Sequence, residues 1–251
     1  MIIVGFSSYK QRWVAMGKND SANLELKAQA GEEAVLHYVR SGMVVGLGAG
    51  STSAEAIKVI GRLLKEGKLR DIVGIPCGVK VEALARSLDI PVGTLEDYPK
   101  IEVTIDGADE VDPDLNLIKG GGGALLREKM VAQATEREII IVDSSKLSQR
   151  LGTHWPVPIE VIEFSWRATQ RYLESLGAKV EPRTNADGSL FHTDQGNLIL
   201  DANFGPIENP AELALALQAR AGIVEHGLFL DITFELIVAE AGGIRHVKKP
   251  V

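Results

Sequence analysis

The chain has one cysteine, Cys77, in 251 residues, so no disulfide can form within it and a reducing compartment is the simpler expectation. A lone thiol of this kind reads first as an inert packed side chain. No run of lysine and arginine stands out. With a formal charge of −7 and a pI near 5.4, the long-range field repels nucleic acid and anionic membrane surfaces, so neither is expected as a partner. The five histidines, at 37, 154, 192, 226 and 246, lack metal-ligand spacing, and no metal is expected. No apolar run is long enough to span a bilayer. The opening Met1-Ile2-Ile3-Val4-Gly5-Phe6 lacks a basic n-region, so cytoplasmic residence is the default expectation. Hydrophobic residues at 45% and charged residues at 24% leave ordinary globular composition, without the signature of disorder, coiled coil or a repeat array.

Periodicity supplies the architecture. Leu26, Ala30, Ala34 and Tyr38 fall at helical spacing between 26 and 40, and the apolar run Met43 to Leu47 then leads through glycines into a helix over 53–65. The unit recurs as a strand at 71–76 with a helix at 79–88, and as a strand at 103–105 with a helix at 123–135. A further strand at 139–142 follows. Strands alternating with helices predict an α/β fold, a Rossmann-like and mostly parallel sheet with helices on both faces. Beyond Gly152 the texture changes. Prolines 156 and 158, an extended run 158–162, a helix over 165–176, strands at 179–182 and 197–200 about an Asn185-Ala186-Asp187-Gly188 turn, and a helix over 210–219 predict a smaller α+β second domain. The apolar stretches 228–234 and 236–238 are long enough to return to the first sheet. The expected division is a catalytic domain from 25–152 and 230–251, a second domain at 153–229, and an N-terminal extension at 1–24 without clear periodicity.

Four turns fall where open α/β sheets bind ligands, at the C-terminal ends of strands. Gly46-Leu47-Gly48-Ala49-Gly50-Ser51-Thr52 joins a strand to a helix, where free amides and the helix dipole favour an anion. A dinucleotide fingerprint fails, because Ser51 stands at the third glycine position and the next strand ends Ile75-Pro76-Cys77 without a ribose-binding acid. A phosphate is the better reading; a tight turn made for packing alone is the alternative. Asp106-Gly107-Ala108-Asp109-Glu110 follows an apolar strand and lacks the spacing of a calcium loop. Lys119-Gly120-Gly121-Gly122-Gly123 is the sharpest feature, since successive glycines cost chain entropy and serve where backbone wraps closely around something. It leads into a helix bearing Arg127, Glu128 and Lys129, with Glu128 read in the second turn; taken alone, that triplet would be a solvated surface. Asp143-Ser144-Ser145-Lys146 ends a further strand, so Lys146 can reach the same edge.

These turns, in this order, resemble the A-type ribose 5-phosphate isomerases, through Gly48-Ala49-Gly50-Ser51-Thr52, Asp106-Gly107-Ala108-Asp109-Glu110, Lys119-Gly120-Gly121-Gly122, Arg127-Glu128-Lys129 and Ser145-Lys146. Pro158 to Ile162, Gly196 to Asp201 and Gly227 to Phe229 resemble the second domain of that family, which is ferredoxin-like. The resemblance implies interconversion of ribose 5-phosphate and ribulose 5-phosphate in the pentose phosphate pathway, through an enediolate, without metal or organic cofactor, in a homodimer or homotetramer. It places the proton-accepting glutamate on Glu128 and substrate contacts on Ala49, Gly50, Ser51, Thr52, Asp106, Gly107, Ala108, Asp109, Lys119, Gly120, Gly121, Gly122 and Lys146. Lys119 and the glycine amides are candidates for meeting negative charge, and either Asp106 or Asp109 for opening the sugar ring. The family usually has threonine at Ala49 and Thr-Ser at Cys77-Gly78. A sugar-phosphate sensor and a coenzyme A transferase on a similar scaffold are the rival readings.

Overall fold

The computed structural model describes residues 20–248. Most of the expected N-terminal extension, Trp13 included, lies outside them. The chain is already helical at Asp20, where polar residues gave no apolar stripe to read, and α1 runs Asp20–Tyr38. Then come β1 (Val44–Leu47), α2 (Ser51–Lys65), β2 (Val73–Pro76), α3 (Val79–Ser87), β3 (Val103–Asp106), β4 (Glu110–Val111), β5 (Leu117–Ile118), α4 (Leu125–Gln133) and β6 (Glu138–Asp143). A six-stranded sheet places them as β13-β12-β6-β3-β1-β2, with β12 at Thr233–Glu240 and β13 at Gly243–Val247. All neighbours in it are parallel except β13, which pairs antiparallel with β12 at the edge.

Burial explains the strand sequences. Every residue of β6 is buried, and its alternate side chains serve two cores. Ile139 and Ile141 pack with Ala56, Ile57 and Ile60 of α2 and Ala34 of α1, while Ile140 and Val142 pack with Ala132 of α4, Val111, Leu117 and Phe229. A strand buried on both faces reads as a continuous apolar run, which is what Glu138–Asp143 shows between its ends. The second core lies under a three-stranded antiparallel sheet, β11-β5-β4, with β11 at Leu228–Phe229. Its two-residue strands are too short to carry a period. The run 228–234, read as one extended segment, therefore divides: Leu228–Phe229 belongs to this small sheet, and β12 begins only at Thr233, beyond a left-handed Asp231 at φ 57.

Residues 157–226 form the remaining sheet, in the order β10-β7-β9-β8, from β7 (Val157–Val161), β8 (Lys179–Pro182), β9 (Leu198–Asn203) and β10 (Ile223–His226). Helices α5 (Trp166–Ser175) and α6 (Pro210–Gln218) give the chain order βαββαβ, a ferredoxin-like arrangement. Leu173 and Leu217 seal its core against Ile159, Val161, Leu198 and Leu200.

Candidate active site

The C-terminal ends of β1, β3 and β6, together with the residues after β5, converge on one cleft. Its cavity volume is about 130 Å³, and it opens to solvent. Ala49, Gly50, Ser51 and Thr52 line it, as do Gly107, Ala108 and Asp109, Lys119 to Gly122, Glu128 and Lys146. Apart from Asp106, every residue that the family resemblance places in contact with substrate lines this cleft.

One end of the cleft is built by α2. Gly50, at φ 101, turns the chain so that Ser51 starts a 15-residue helix whose first amides are unpaired within it. Gly48 must be glycine for a different reason: a Cβ there would lie 2.2 Å from Oδ1 of Asp106, so β1 and β3 could not approach as they do. Lys27, from α1, donates to Ser51 Oγ at 3.0 Å and also lines the cleft. Sequence reasoning missed it. Its signal is only tertiary, since nothing local distinguishes it from other helix-surface lysines. Lys146, in a short 3₁₀ turn after β6, lies with its ammonium 4.7 Å from the Trp155 ring centroid.

The chemical end is a buried charge cluster. Lys119 Nζ donates to Gly107 O at 2.6 Å, to Glu128 Oε1 at 3.1 Å, and sits 3.0 Å from Asp106 Oδ2, so its three N–H groups are engaged. Asp106 is 1% exposed and lies behind this ammonium, not on the cleft wall. Its other oxygen accepts from Ser53 Oγ at 3.0 Å and from the Gly107 amide at 2.7 Å. Asp109 is the aspartate facing the cleft, accepting from the Gly121 amide at 2.7 Å. Glu110, next in sequence, faces away: its carboxylate gathers the amides of Gly152, Thr153, His154 and Trp155 and the hydroxyl of Ser148.

Glu128 stands in the first turn of α4, not the second, because the glycine loop extends to Gly123 and the helix starts at Leu125. The solvated-surface alternative fails for two of the triplet, since Glu128 and Lys129 are both buried. Lys129 turns away to Glu225 Oε1 at 2.7 Å and the His226 carbonyl at 2.6 Å. Burial raises Glu128 from 4.5 to about 7, with Asp106 adding repulsion and Lys119 opposing both. Burial alone would lower Lys119, yet Asp106 and Glu128 hold its ammonium above the usual range. Among the described residues the buried Oε2 of Glu128 has no hydrogen-bond partner, so one oxygen of a carboxylate raised toward neutrality is left to accept a proton.

Cys77 is fully buried, and burial pushes its thiol well up. One ligand atom each of Cys77, Asp106 and Glu128 lie within 4.8 Å of one another. This donor set does not suit a metal ion: the Lys119 ammonium already bridges the two carboxylates, and the thiol is held protonated.

A helix N-terminus with free amides in one cleft with a buried carboxylate raised toward neutrality, at the edge of a parallel sheet, fits an α/β isomerase acting on a phosphorylated sugar. A family model described as Ribose 5-phosphate isomerase A (phosphoriboisomerase A) matches residues 73–243. The chain is 60% identical over 223 residues to Ribose-5-phosphate isomerase A of Desulfatibacillum aliphaticivorans, covering 89% of this chain and 96% of that one. With the enzyme of the same name from Chloroflexus aurantiacus the identity is 56% over 229 residues, 91% of this chain and 95% of that one. Among solved structures, ribose 5-phosphate isomerase from Plasmodium falciparum superposes with a TM-score of 0.88 at 40% identity, covering 91% of this chain and all of that one, 100%. A D-ribose-5-phosphate isomerase in complex with phospho-erythronic acid gives 0.87 at 41% identity, over 89% of this chain and 98% of that one. The chain belongs to the ribose 5-phosphate isomerase A family. It is an aldose–ketose isomerase of the pentose phosphate pathway, interconverting ribose 5-phosphate and ribulose 5-phosphate.

Proposed function

We propose that Glu128 moves the proton between C2 and C1 while the N-terminus of α2 holds the phosphate. The observation that carries this reading is the free Oε2 of Glu128, on a carboxylate raised to about 7, in the same cleft as Ser51 and Thr52. An aldose gives up its C2 proton to this oxygen, forming an enediolate; the hydroxyl proton passes from O2 to O1, and Glu128 returns its proton at C1. At neutral pH such a carboxylate is present in both charge states, which suits a group that must take and return one proton.

Lys119 couples the two halves of the step. While Glu128 is charged, it draws one N–H of Lys119; once Glu128 is protonated, that hold weakens and the N–H turns to the oxygen on which negative charge has developed. Asp106 keeps the ammonium charged from behind. Asp109, on the cleft wall, is the carboxylate placed to move the proton that opens the sugar ring. Ser51, Thr52, Lys27 and Lys146 bind the phosphate, and the glycine loop offers the Gly122 amide to the sugar oxygens while Asp109 holds that of Gly121. Phospho-erythronic acid, the ligand named for one relative, supports this polarity: it carries a carboxylate at one end and a phosphate at the other.

Three further assignments go with this reading. The division at 25–152 with 230–251 and at 153–229 is supported by the separate cores of the six-stranded and ferredoxin-like sheets. Residence in the cytoplasm is supported by the substrate. Assembly as a homodimer or homotetramer is supported by apolar side chains left on the surface, among them Phe164, 82% exposed, and neighbouring Ile162. Light scattering tests the assembly. Glu128→Gln tests the chemistry: turnover falls by at least about 10³-fold while ribose 5-phosphate still binds, because the isostere keeps shape and removes the base. Near-normal turnover would overturn the assignment.

A further inference from the structure

The glycine loop that wraps the cleft has no side chains with which to hold its own shape. Four glycines in succession leave its peptide planes free to rotate, and amides that must meet charge need a fixed direction. Something outside the loop has to set them.

Arg183, just beyond β8, reaches across from the ferredoxin-like sheet to do this. Its Nη1 donates to the Gly120 carbonyl at 2.8 Å and to the Gly121 carbonyl at 3.1 Å. The other edge of the guanidinium is clamped by Asp201 on β9, through Nε to Oδ2 at 3.0 Å and Nη2 to Oδ1 at 2.5 Å. Its backbone is fixed on both sides as well: the Arg183 amide donates to Ile199 O at 2.8 Å, and its carbonyl accepts from Phe191 N at 3.0 Å. The Phe191 ring centroid lies 5.9 Å from the guanidinium carbon, and the same ring fills the space beside Gly123. Arg183 is thus a planar donor held in one orientation, with its tip on two consecutive loop carbonyls.

A trans peptide points its C=O and N–H in opposite directions, and the described residues contain no cis bond. Drawing the Gly120 carbonyl toward Arg183 therefore turns the Gly121 amide the other way, where it donates to Asp109 at 2.7 Å. Drawing the Gly121 carbonyl the same way turns the Gly122 amide toward the cleft that Gly122 lines; among the described residues that amide has no protein acceptor. The geometry points to Arg183 as a positioning residue for the isomerisation: it sets the two peptide planes that aim the Gly122 N–H at substrate oxygen and fix the Asp109 carboxylate. The inference rests on the reading of this loop as the oxyanion-binding wall.

The experiment compares Arg183→Ala and Arg183→Lys with the parent on ribose 5-phosphate, with kcat expressed per folded enzyme. Arg183→Ala is expected to lose about 30-fold in kcat, less than removal of an oxyanion donor outright, while KM changes less than about threefold because phosphate binding at α2 is untouched. Arg183→Lys keeps the charge but cannot hold both Asp201 oxygens and reach the two carbonyls at once, so its tip loses its fixed orientation; it is expected to lose about tenfold with a melting temperature close to the parent. Methylguanidinium added to the Ala variant restores part of kcat, whereas methylammonium does not. Inhibition by phospho-erythronic acid weakens in both variants, and competition by inorganic phosphate does not change. A kcat within about twofold of the parent in the Lys variant, or loss of activity that only follows loss of folded protein, overturns the inference. Should Glu128→Gln remain active, the reading of the base fails instead, so the two failures are distinct.

Discussion

The charge cluster makes a specific claim about pH, and Asp106→Asn tests it. Glu128 is raised from its usual 4.5 to about 7, so its charged form is harder to reach here than in water. Burial is the largest cause and Asp106 is the largest repulsive charge. Since the base must be ionised to accept a proton, kcat/KM in the parent rises with pH through an apparent value near 7, which belongs to the Glu128–Lys119 pair jointly. Removing the charge of Asp106 acts on Glu128 twice in the same direction. It deletes a repulsion, and it leaves Lys119, now 3.1 Å from a single carboxylate, to attract Glu128 undivided. The acid limb should therefore move down by about one unit or more, a change of at least ~1.4 kcal/mol. The assay is kcat/KM for ribose 5-phosphate from pH 5 to 9. The substrate phosphate also titrates near pH 6, but identically for both enzymes, so the difference between profiles reports the protein. An acid limb that stays near 7, or moves up, would refute the electrostatic account of Glu128.

The same shift predicts a stability effect with a definite sign. A carboxylate raised by folding is no burden below its unfolded value near 4.5 and costs progressively more as pH rises to about 7, so Glu128→Gln should melt several degrees above the parent at pH 8 and show no gain at pH 4; equal melting temperatures at pH 8 would contradict it. Glu110→Gln replaces a carboxylate that receives four loop amides with a group that turns a donor toward them, and should cost about 3 kcal/mol in denaturant melts with little effect on the kcat of the folded enzyme. Lys27→Ala should raise KM about tenfold with kcat nearly intact, read from steady-state kinetics. Gly48→Ala forces a Cβ to within 2.2 Å of Asp106 and should abolish turnover while costing about 2 kcal/mol, checked by activity and melting together.

The parallel α/β class was legible because its signal is local. Strands such as Glu138–Asp143 are continuous apolar runs, and α2 carries Ala56, Ile57, Ile60 and Leu63 on one stripe. The three-stranded sheet was not legible, because strands of two residues such as Leu117–Ile118 and Leu228–Phe229 have no period and exist only through pairing between segments distant in sequence. For the same reason 228–234 reads as one extended run in the sequence. Its apolar residues serve two sheets in turn, and hydropathy does not record the change of direction at Asp231.

At the cleft the division runs along the same physical line. Glycine and carboxylate turns at strand ends could be found because backbone freedom and strand position are properties of neighbouring residues. What each carboxylate does depends on partners far along the chain. Asp106, Asp109 and Glu110 lie within five residues of sequence, yet one props an ammonium from behind, one faces the substrate space, and one ties down the 152–155 segment. The turn at 107–109 puts the first and the last on different strands, but only Lys119, 12 residues on from Gly107, reveals that Asp106 is hidden. Arg127-Glu128-Lys129 reads as solvated helix until Lys129 is seen to be consumed by Glu225, 96 residues away, which leaves Glu128 to be held by Lys119 alone. Lys27 meets Ser51 across 24 residues and Arg183 meets Gly120 across 63, and neither has a local pattern to announce it. Local pattern names the turn residues proposed to touch the sugar phosphate, though not Lys27, which lines the same cleft from α1. Those that orient the touching groups are set by tertiary contact, and they are where substitutions should alter turnover without altering which substrate binds.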